Sequence, residues 1–385
     1  MSASLEHPPV RTLISPGRYA QGRGAIERLG ELTAPVGRTP LVVADDTVWS
    51  FVGEAVTRSF AAADLPLTRD GFGVHATAAA VDGIAARIRE TGADVVVGVG
   101  GGSTIDAVKA GGYLAGIRWV SVPTVASTDA PCSALSVIYD DEGGFEEYRF
   151  FPRNPDLVLV DTQLVANAPV RFLVAGVGDA LATWIEARAV ARTDATTMAG
   201  GLPTTTGTAL ARLSWDMLWE HALPAVAAVR DHVVTPSVEK VVEANTLLSG
   251  LGFESGGLAA AHAIHNGLTA APQTHGLTHG EKVNIGSVTQ LVLEGAPVQE
   301  IRDFVEFTTR VGLPNTLTEV GLSVDDVDDL TRVAEAATAE GETIHAMPFT
   351  VRVPDVVDAL RSIEGFSRSV RAEAGLPEPV PHRAH

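Results

Sequence analysis

The sequence is poor in cysteine and in long apolar runs. Its single cysteine, Cys132, excludes an internal disulfide and a zinc site built from several cysteines of one chain. No apolar run reaches the ~18 residues that a membrane-spanning helix needs. The opening MSASLEHPPVRTL lacks the basic start and apolar stretch of a signal peptide. These absences predict a cytoplasmic protein.

Positive charge is also scarce. The chain has 28 Lys and Arg against 47 Asp and Glu, a net charge of −19. Phosphate groups would be repelled by such a surface, which argues against nucleic acid and anionic membranes as partners. The composition, 45% hydrophobic and 19% charged, is that of an ordinary globular protein, and 385 residues favour two domains. We therefore expect a small-molecule partner.

The first half of the chain alternates strand and helix patterns. PLVVADD, ADVVVGVGGGS and RWVSVPT are short valine-rich runs, and apolar residues recur at helical spacing in 54–65 and 78–92. Such alternation predicts a parallel sheet covered by helices. A hairpin turning at DEGG is expected over 133–151.

The sequence pattern changes after about residue 163. Long Ala- and Leu-rich helical patterns take over, punctuated by prolines such as Pro224 and Pro236 at expected helix starts. We predict an α/β dinucleotide-binding domain with a parallel sheet over 1–163 and an all-α metal-binding domain over 164–385. The last residues, PEPVPHRAH, are expected to form a loose tail.

A glycine loop, GVGGGSTIDAVKA, follows the strand pattern DVVV and opens a helix. Bare glycine backbone and a helix N-terminus suit a pyrophosphate, although the spacing is not G-x-G-x-x-G and a purely structural turn is an equal alternative. Ser103 is the expected helix cap, with Asp106 in a capping-box-like position. Asp45 follows the first strand and suits an adenosine ribose, and Asp46 is the expected cap of the next helix.

Two further regions carry polar residues in apolar surroundings. Asp129 is the only charge in the hydroxyl-rich segment SVPTVASTDAPCSALSVIY, where it suits a substrate contact or an Asx-turn. Asp179 stands among alanines and leucines at an expected helix start, as a helix cap or a metal ligand. Four of the eleven histidines lie between His262 and His279. Two of them with Asp179 would suit zinc or ferrous iron, but spacing leaves open which two.

Longer segments resemble one enzyme family. ISPGRYAQG, VPTVASTDAPCSALSVIY, GVGDALATWIEARA, LTHGEKV and AEGETIHAMP are similar, in order, to segments of the glycerol dehydrogenase family within the iron-containing alcohol dehydrogenase group. The resemblance implies oxidation of glycerol to dihydroxyacetone with NAD and zinc as cofactors. It also implies an active site in a cleft between an α/β and a helical domain, and a homo-oligomer.

The resemblance also assigns residues. It implies zinc ligands at Asp179, His262 and His279, which with the substrate residue Asp129 form the catalytic set. His265 and His275 are left for the cleft wall, the surroundings of the ligands or no role, and a proton relay ending at His265 is a hypothesis. The NAD contacts that the resemblance implies are Asp45, Gly102, Ser103, Thr124, Ser127, Ser133, Leu135 and Tyr139, and the glycine loop adds Gly100 and Gly101.

Two positions depart from the pattern of the family. Ser103 replaces a lysine common in glycerol dehydrogenases. Thr183 replaces a histidine of iron-dependent relatives, which favours zinc.

Two alternative functions stay open. The first is a related enzyme that acts on another polyol or on a phosphorylated substrate, as glycerol-1-phosphate dehydrogenase does. A phosphorylated substrate would need several cationic residues in the site. Only Arg188 and Lys282 lie near the predicted site residues. A catalytically inactive dinucleotide-binding subunit would lack a metal ligand.

Overall fold

The predicted parallel sheet forms in the computed structural model, which describes residues 10–140 and 144–382. The strands of the described residues are β1 Tyr19–Gly22, β2 Pro40–Ala44, β3 Thr68–Gly71, β4 Val95–Gly100, β5 Arg118–Pro123, β6 Leu135–Tyr139, β7 Phe145–Phe150 and β8 Leu157–Asp161. The strand order of the parallel sheet is β1-β8-β5-β4-β2-β3, and every neighbouring pair is parallel.

Strands β6 and β7 form the predicted hairpin as an antiparallel pair outside the main sheet. Residues 141–143 of its predicted DEGG turn lie outside the described residues. The two strands of the predicted hairpin and their antiparallel pairing are therefore confirmed.

Helices make up the rest of the regular structure. Among the described residues they are α1 Leu29–Thr33, α2 Asp46–Ala62, α3 Ala78–Thr91, α4 Gly102–Ala115, α5 Thr162–Asn167, α6 Val170–Val190, α7 Thr205–Arg230, α8 Pro236–Glu243, α9 Ser249–Gly256, α10 Ala260–Thr269, α11 His279–Leu293, α12 Val298–Val311, α13 Val327–Ala337 and α14 Val353–Glu373. A π-helical turn, Ala244–Leu248, links α8 to α9. None of the described helices is both long and apolar enough to cross a bilayer.

The chain divides into two compact units. The sheet unit contains residues 15–176 and Pro224–Gly250, and the helical unit contains residues 10–14, Val177–Leu223 and 251–382. The predicted fold class, a parallel α/β part and a helical part, is confirmed. Residue 163, the predicted domain boundary, lies within the sheet unit.

Valines of the central strands form the core of the sheet unit. Val42 of β2, Val97 of β4 and Val120 of β5 are fully buried and pack in one cluster with Val56 and Phe60 of α2. Each such side chain contributes about 1.5–3 kcal/mol by leaving water. This burial anchors the strand ends from which the functional loops emerge.

Two prolines illustrate the limits of helix-start prediction. Pro236 is the first residue of α8, where a missing amide hydrogen costs nothing, as predicted. The prediction for Pro224 is wrong, because it lies inside α7.

Candidate functional site

Three predicted ligands converge in the helical unit. Asp179 lies on α6, His262 on α10, and His279 is the first residue of α11. Asp179 Oδ1 is 3.3 Å from His262 Nε2 and 3.0 Å from His279 Nε2. One ligand atom from each residue falls within 4.8 Å of the others. Two imidazole nitrogens and a carboxylate suit a zinc-type cation and leave coordination positions for a substrate.

A glycine lets two of the ligand-bearing helices approach each other. A Cβ on Gly178 would lie 2.5 Å from the carbonyl oxygen of Gly280, so the close approach of α6 to α11 requires glycine at 178. Asp179 follows Gly178 in the middle of α6 and is fully buried, so its expected place at a helix start is wrong. A buried carboxylate inside a helix needs a partner, and the two histidines supply it.

The electrostatics of the cluster favour charged forms. Burial alone would raise the pKa of Asp179, but His279 and His262 outweigh it and hold that pKa below its ordinary value. Burial alone would lower the pKa of His262, but the carboxylates of Glu186 and Asp179 raise it well above its usual range. In the metal-free protein the cluster therefore holds protons that a cation would displace.

The other two histidines of the window differ from each other. His265 is partly buried, and its ring centroid lies 4.1 Å from that of His279. Burial, followed by the nearby charges of His279 and Lys282, lowers the pKa of His265 well below its ordinary value. His275 is exposed and contacts the carbonyl oxygen of Thr269 at 3.0 Å. His265 thus adjoins the cluster, whereas His275 lies apart from the three candidate ligands.

The C-terminal segment contacts the start of α11. Thr278 and Glu281 form a capping box there, around the first residue, His279. His382 Nδ1 lies 3.1 Å from the second carboxylate oxygen of Glu281, and its amide donates to the carbonyl of Glu319. The expectation of a loose tail is therefore wrong up to residue 382, because backbone and side-chain hydrogen bonds hold it. Residues 383–385 lie outside the described part of the chain.

Asp45 and the glycine loop, both predicted to contact the cofactor, lie at the carboxyl ends of two adjacent strands of the sheet unit. β2 connects onward to β3 on one side, and β4 connects to β5 on the other, so the strand order reverses between adjacent β2 and β4. Ligands of such sheets bind outside the carboxyl ends of strands at this point of reversal. Asp45 follows β2, and the glycine loop follows β4.

Two glycines of the loop have open space around them. A Cβ on Gly101 would come no closer than 4.0 Å to another residue, and one on Gly102 no closer than 3.8 Å. Neither has a positive φ, whereas a Cβ on Gly100 would lie 2.6 Å from Thr104 Oγ1. The packing of the described chain thus requires glycine at 100, but not at 101 or 102. Close approach of a ligand gives a reason for these two.

The expected caps of this region are wrong. The N-cap of α4 is Gly101, which has no side chain, and not Ser103. Asp106 instead pairs with the buried Lys109 at 2.9 Å. The N-cap of α2 is Asp45, whose carboxylate accepts a 2.8 Å hydrogen bond from the amide of Val48. In both cases the helix begins at a different residue from the one its local pattern favoured.

The hydroxyl-rich segment begins at the carboxyl end of β5. The amide of Thr124 donates to the carbonyl of Gly100, which joins this segment to the glycine loop. Ser127 is partly exposed, and Asp129 is 8% exposed at the N-cap of the short 3₁₀ turn Ala130–Cys132. The predicted NAD and substrate residues of this segment thus flank one turn.

Lys109 holds the far end of the segment. Its ammonium donates to the carbonyls of Ala130 and Leu135 and lies 3.2 Å from Ser133 Oγ. Ser133 and Leu135 are buried, and Tyr139 is partly exposed, with its pKa raised by burial and then by the charge of Asp106. The predicted roles of Ser133, Leu135 and Tyr139 stay predictions, with Ser133 Oγ already bonded within the protein.

The sequence interpretation did not single out Lys109, beside the hydroxyl-rich segment, or Glu186, beside His262. Lys109 is fully buried, which only the packing of α4 against the hydroxyl-rich segment reveals. Glu186 is also fully buried, seven residues after Asp179 on α6. A spacing of seven places both carboxylates on one helix face, a signal present in the sequence.

The chain is similar to known proteins over most of its length. The model of the iron-containing alcohol dehydrogenase family matches residues 16–162. The chain is 51% identical to a glycerol dehydrogenase of Escherichia coli over 88% of this chain and 92% of that protein. It is 48% identical to a glycolaldehyde reductase of Halobacterium salinarum over 93% of this chain and 98% of that protein.

A solved structure is similar in the same way. The crystal structure of glycerol dehydrogenase from Schizosaccharomyces pombe matches with a TM-score of 0.93 at 37% identity. The match covers 98% of this chain and 96% of that chain. The similarity therefore extends over both the sheet unit and the helical unit.

Proposed function

The chain belongs to the iron-containing alcohol dehydrogenase family, and on that premise we propose that it is an NAD-dependent glycerol dehydrogenase. The reaction removes a proton from a hydroxyl of glycerol and a hydride from its carbon, and gives dihydroxyacetone and NADH. The observation that carries the proposal is the buried cluster of Asp179, His262 and His279. The choice of glycerol as substrate is supported by relatives named glycerol dehydrogenase, which this chain matches over most of their length.

The three side chains suit zinc by the chemistry of their donors. Asp179, His262 and His279 would hold it, with a carboxylate oxygen and two imidazole nitrogens already close together. When bound, zinc supplies Lewis acidity that lowers the pKa of a substrate hydroxyl. The fully buried carboxylate of Asp179 favours such a cation, since an unpaired charge there would be costly.

NAD suits the open glycines of the sheet unit. The space beside Gly101 and Gly102 admits a pyrophosphate to the N-terminus of α4, where amide groups and the helix dipole favour negative charge. Asp45 caps α2 through one carboxylate oxygen, and its other oxygen can accept a ribose hydroxyl. We assign Thr124 and Ser127 to the same cofactor because they follow the neighbouring strand.

Other polar residues handle the substrate and its proton. Asp129 is proposed to accept a hydrogen bond from a second hydroxyl of glycerol, which orients the carbon that loses hydride. His265 Nδ1 lies 3.0 Å from Asn266 Oδ1, so with a proton on Nδ1 the free acceptor is Nε2. Its lowered pKa keeps His265 neutral near pH 7, so Nε2 can accept a proton at the end of the proposed relay.

A phosphorylated substrate is less well supported. Arg188 contacts Glu300 and lies 3.3 Å from Glu294, so carboxylates already compensate its charge. Burial lowers the pKa of Lys282 to about 8. A neutral polyol suits these surroundings better. We further propose that the protein is cytoplasmic and forms a homo-oligomer. Light scattering of the purified protein would measure the mass of the assembly and so test the second proposal.

The deciding experiment combines metal analysis with a substrate panel. We expect one zinc per chain, and NAD reduction with glycerol and 1,2-propanediol at specificity constants about ten- to a hundredfold above those of ethanol and 1-propanol, because a second hydroxyl adds a polar contact. Equal rates with 1-propanol and glycerol would make the protein a general alcohol dehydrogenase. Full zinc without turnover would support an inactive subunit.

The panel also includes NADH with glycolaldehyde and with dihydroxyacetone. The relative named glycolaldehyde reductase motivates this arm, since its name describes reduction of a two-carbon hydroxyaldehyde. A higher specificity constant for glycolaldehyde than for dihydroxyacetone would move the proposal to that substrate. His262→Ala should lose metal and turnover, whereas His275→Ala, which changes an exposed histidine, should lose neither.

A further inference from the structure

The helix that carries His262 is capped by side chains from other helices. The N-cap of α10 is Ala259, which offers no side-chain acceptor. Glu186 Oε1 on α6 accepts the amides of Ala259 and His262, at 2.8 and 2.9 Å. Gln290 Oε1 on α11 accepts those of the two residues between, at 3.0 and 2.9 Å. Residues from α6 and α11 thus fix the start of α10.

Glu186 also contacts the imidazole of His262. Its second carboxylate oxygen lies 2.5 Å from His262 Nδ1, while Nε2 faces Asp179 Oδ1 at 3.3 Å. A carboxylate can only accept here, so Nδ1 carries the hydrogen. Once a cation displaces the proton on Nε2, the lone pair of this nitrogen is directed toward the cluster, in the tautomer that a metal requires.

We infer that Glu186 is a positioning residue, which sets the ring orientation and tautomer of His262 for the metal. The inference rests on the proposed function in that it takes the cluster to be a zinc site. Carboxylates that accept from a ligating histidine commonly raise its affinity for metal. Glu186 is fully buried and bonds both the backbone and the ring of the same ligand, so it has little freedom to turn away.

The helical spacing accounts for this arrangement. Asp179 and Glu186 are seven residues apart on α6, and His279 and Gln290 are eleven apart on α11. Both separations are close to whole numbers of turns, so each pair lies on one face of its helix. Each flanking helix therefore supplies one candidate ligand and one acceptor for the start of α10. Charge adds to the effect, because a divalent cation balances the two buried carboxylates.

The test compares Glu186→Gln with Gln290→Ala. Glutamine can keep the backbone acceptor bonds, but its amide group would donate to Nδ1 and favour a hydrogen on Nε2, the wrong tautomer. Gln290→Ala removes two acceptor bonds from the same helix start without touching the ring. The readouts are the zinc dissociation constant by chelator competition and the visible spectrum of the cobalt-substituted protein.

We expect Glu186→Gln to weaken zinc binding by about 10- to 100-fold and to alter the cobalt spectrum. Gln290→Ala should lower the melting temperature of the metal-free protein and leave zinc affinity within about threefold. Wild-type zinc affinity in Glu186→Gln, or equal losses in both variants, would overturn the inference and leave capping only.

A second variant guards against misfolding. Glu186→Asp keeps the charge but withdraws the carboxylate by one methylene, so positioning predicts about tenfold weaker zinc binding, and wild-type affinity would overturn it. Zinc affinity is measured without substrate. A wild-type protein that binds zinc but leaves glycerol unoxidised would therefore refute the proposed function alone.

Discussion

The hydroxyl of Ser249 donates a 2.7 Å hydrogen bond to a carboxylate oxygen of Asp129. Ser249 begins α9, directly after the π-helical turn Ala244–Leu248. Asn245 of that turn donates to the carbonyl of Ala126 at 3.0 Å. Both ends of the loop from Ala126 to Asp129 are thus held by one stretch of helix 120 residues later in the chain. Such π-helical turns are frequent at functional sites.

We predict that Ser249→Ala discriminates between substrates. Loss of one hydrogen bond to a buried carboxylate, about 1.5 kcal/mol, should lower kcat/KM for glycerol roughly tenfold, because Asp129 would orient a second hydroxyl less well. 1-Propanol, which has no second hydroxyl, should be affected less. Asp129→Ala should show the same pattern more strongly. Equal losses for both alcohols would mean a general disturbance of the loop.

Gly102→Ala separates folding from cofactor binding. A methyl group at Gly102 meets nothing closer than 3.8 Å, and alanine favours the helix by up to about 1 kcal/mol, so the melting temperature should hold or rise. The same methyl group would occupy the space proposed for the pyrophosphate and should weaken NAD at least about tenfold. Gly83→Ala in α3, where a Cβ has no neighbour within 4 Å, is the matched control. An unchanged NAD dissociation constant for Gly102→Ala would contradict the assignment.

Asp45→Ser tests the preference for NAD over NADP. Serine also caps helices, so α2 should remain intact while the carboxylate is lost. NAD binding should weaken by about tenfold, and the difference in affinity between NAD and NADP should narrow. Arg69, which contacts the carbonyl of Ala44 at 3.3 Å, lies near enough to meet a 2′-phosphate. Asp82→Asn, which removes an exposed carboxylate from α3, is the control, because Asp46 itself pairs with Arg69. The idea fails if the wild type uses both cofactors equally.

We expect the partly buried Lys282 to make the free energy of unfolding increase with pH. Burial lowers its pKa to about 8 from an ordinary value of 10.5. Between these values the unfolded chain binds a proton that the folded chain does not, so this residue makes stability rise with pH. Lys282→Met should therefore stabilise the protein by up to about 3 kcal/mol at pH 7, with the gain vanishing above about pH 10. Urea unfolding across this range measures it.

The control for this prediction is an exposed lysine. Lys240 has a 49% exposed side chain. Lys240→Met should change stability by less than about 0.5 kcal/mol, with no comparable trend in pH. If the difference in unfolding free energy between wild type and Lys282→Met did not change with pH, the proposed effect of burial on Lys282 would be contradicted.

The predicted strands β2 and β4 have a composition that matches their burial, whereas β8, whose LVLVD is also fully buried, was not predicted. Every residue of β2 and of β4 is buried, and both runs are rich in valine. β1 and β3 were missed because their sequences, YAQG and TRDG, lack an apolar run, which the edges of a sheet permit. The two cap errors have a related cause, because aspartate or serine suits several adjacent positions and only the observed backbone selects one.

The metal cluster was predictable in type but not in membership. Residue chemistry pointed to Asp179 with two of four histidines, and spacing could not choose among them because α10 and α11 are separated by a turn of unknown path. The resemblance to a family supplied His262 and His279, and the structure brings these two to Asp179. Glu186 escaped notice because its spacing from Asp179 gains meaning only once the start of α10 is placed beside it.

The interleaved segments of the helical unit bear on its synthesis. That unit contains residues 10–14, near the start of the chain, and the segment that ends with His382 at the capping box of α11. A ribosome makes the chain from its N-terminus, so residues 10–14 are made long before the later segments of their own unit. Strands β1 to β8 all lie between residues 19 and 161, so the whole sheet has been made before the first predicted metal ligand, Asp179. The cluster can form only after His279 has been made, so it is expected to assemble later in synthesis than the sheet.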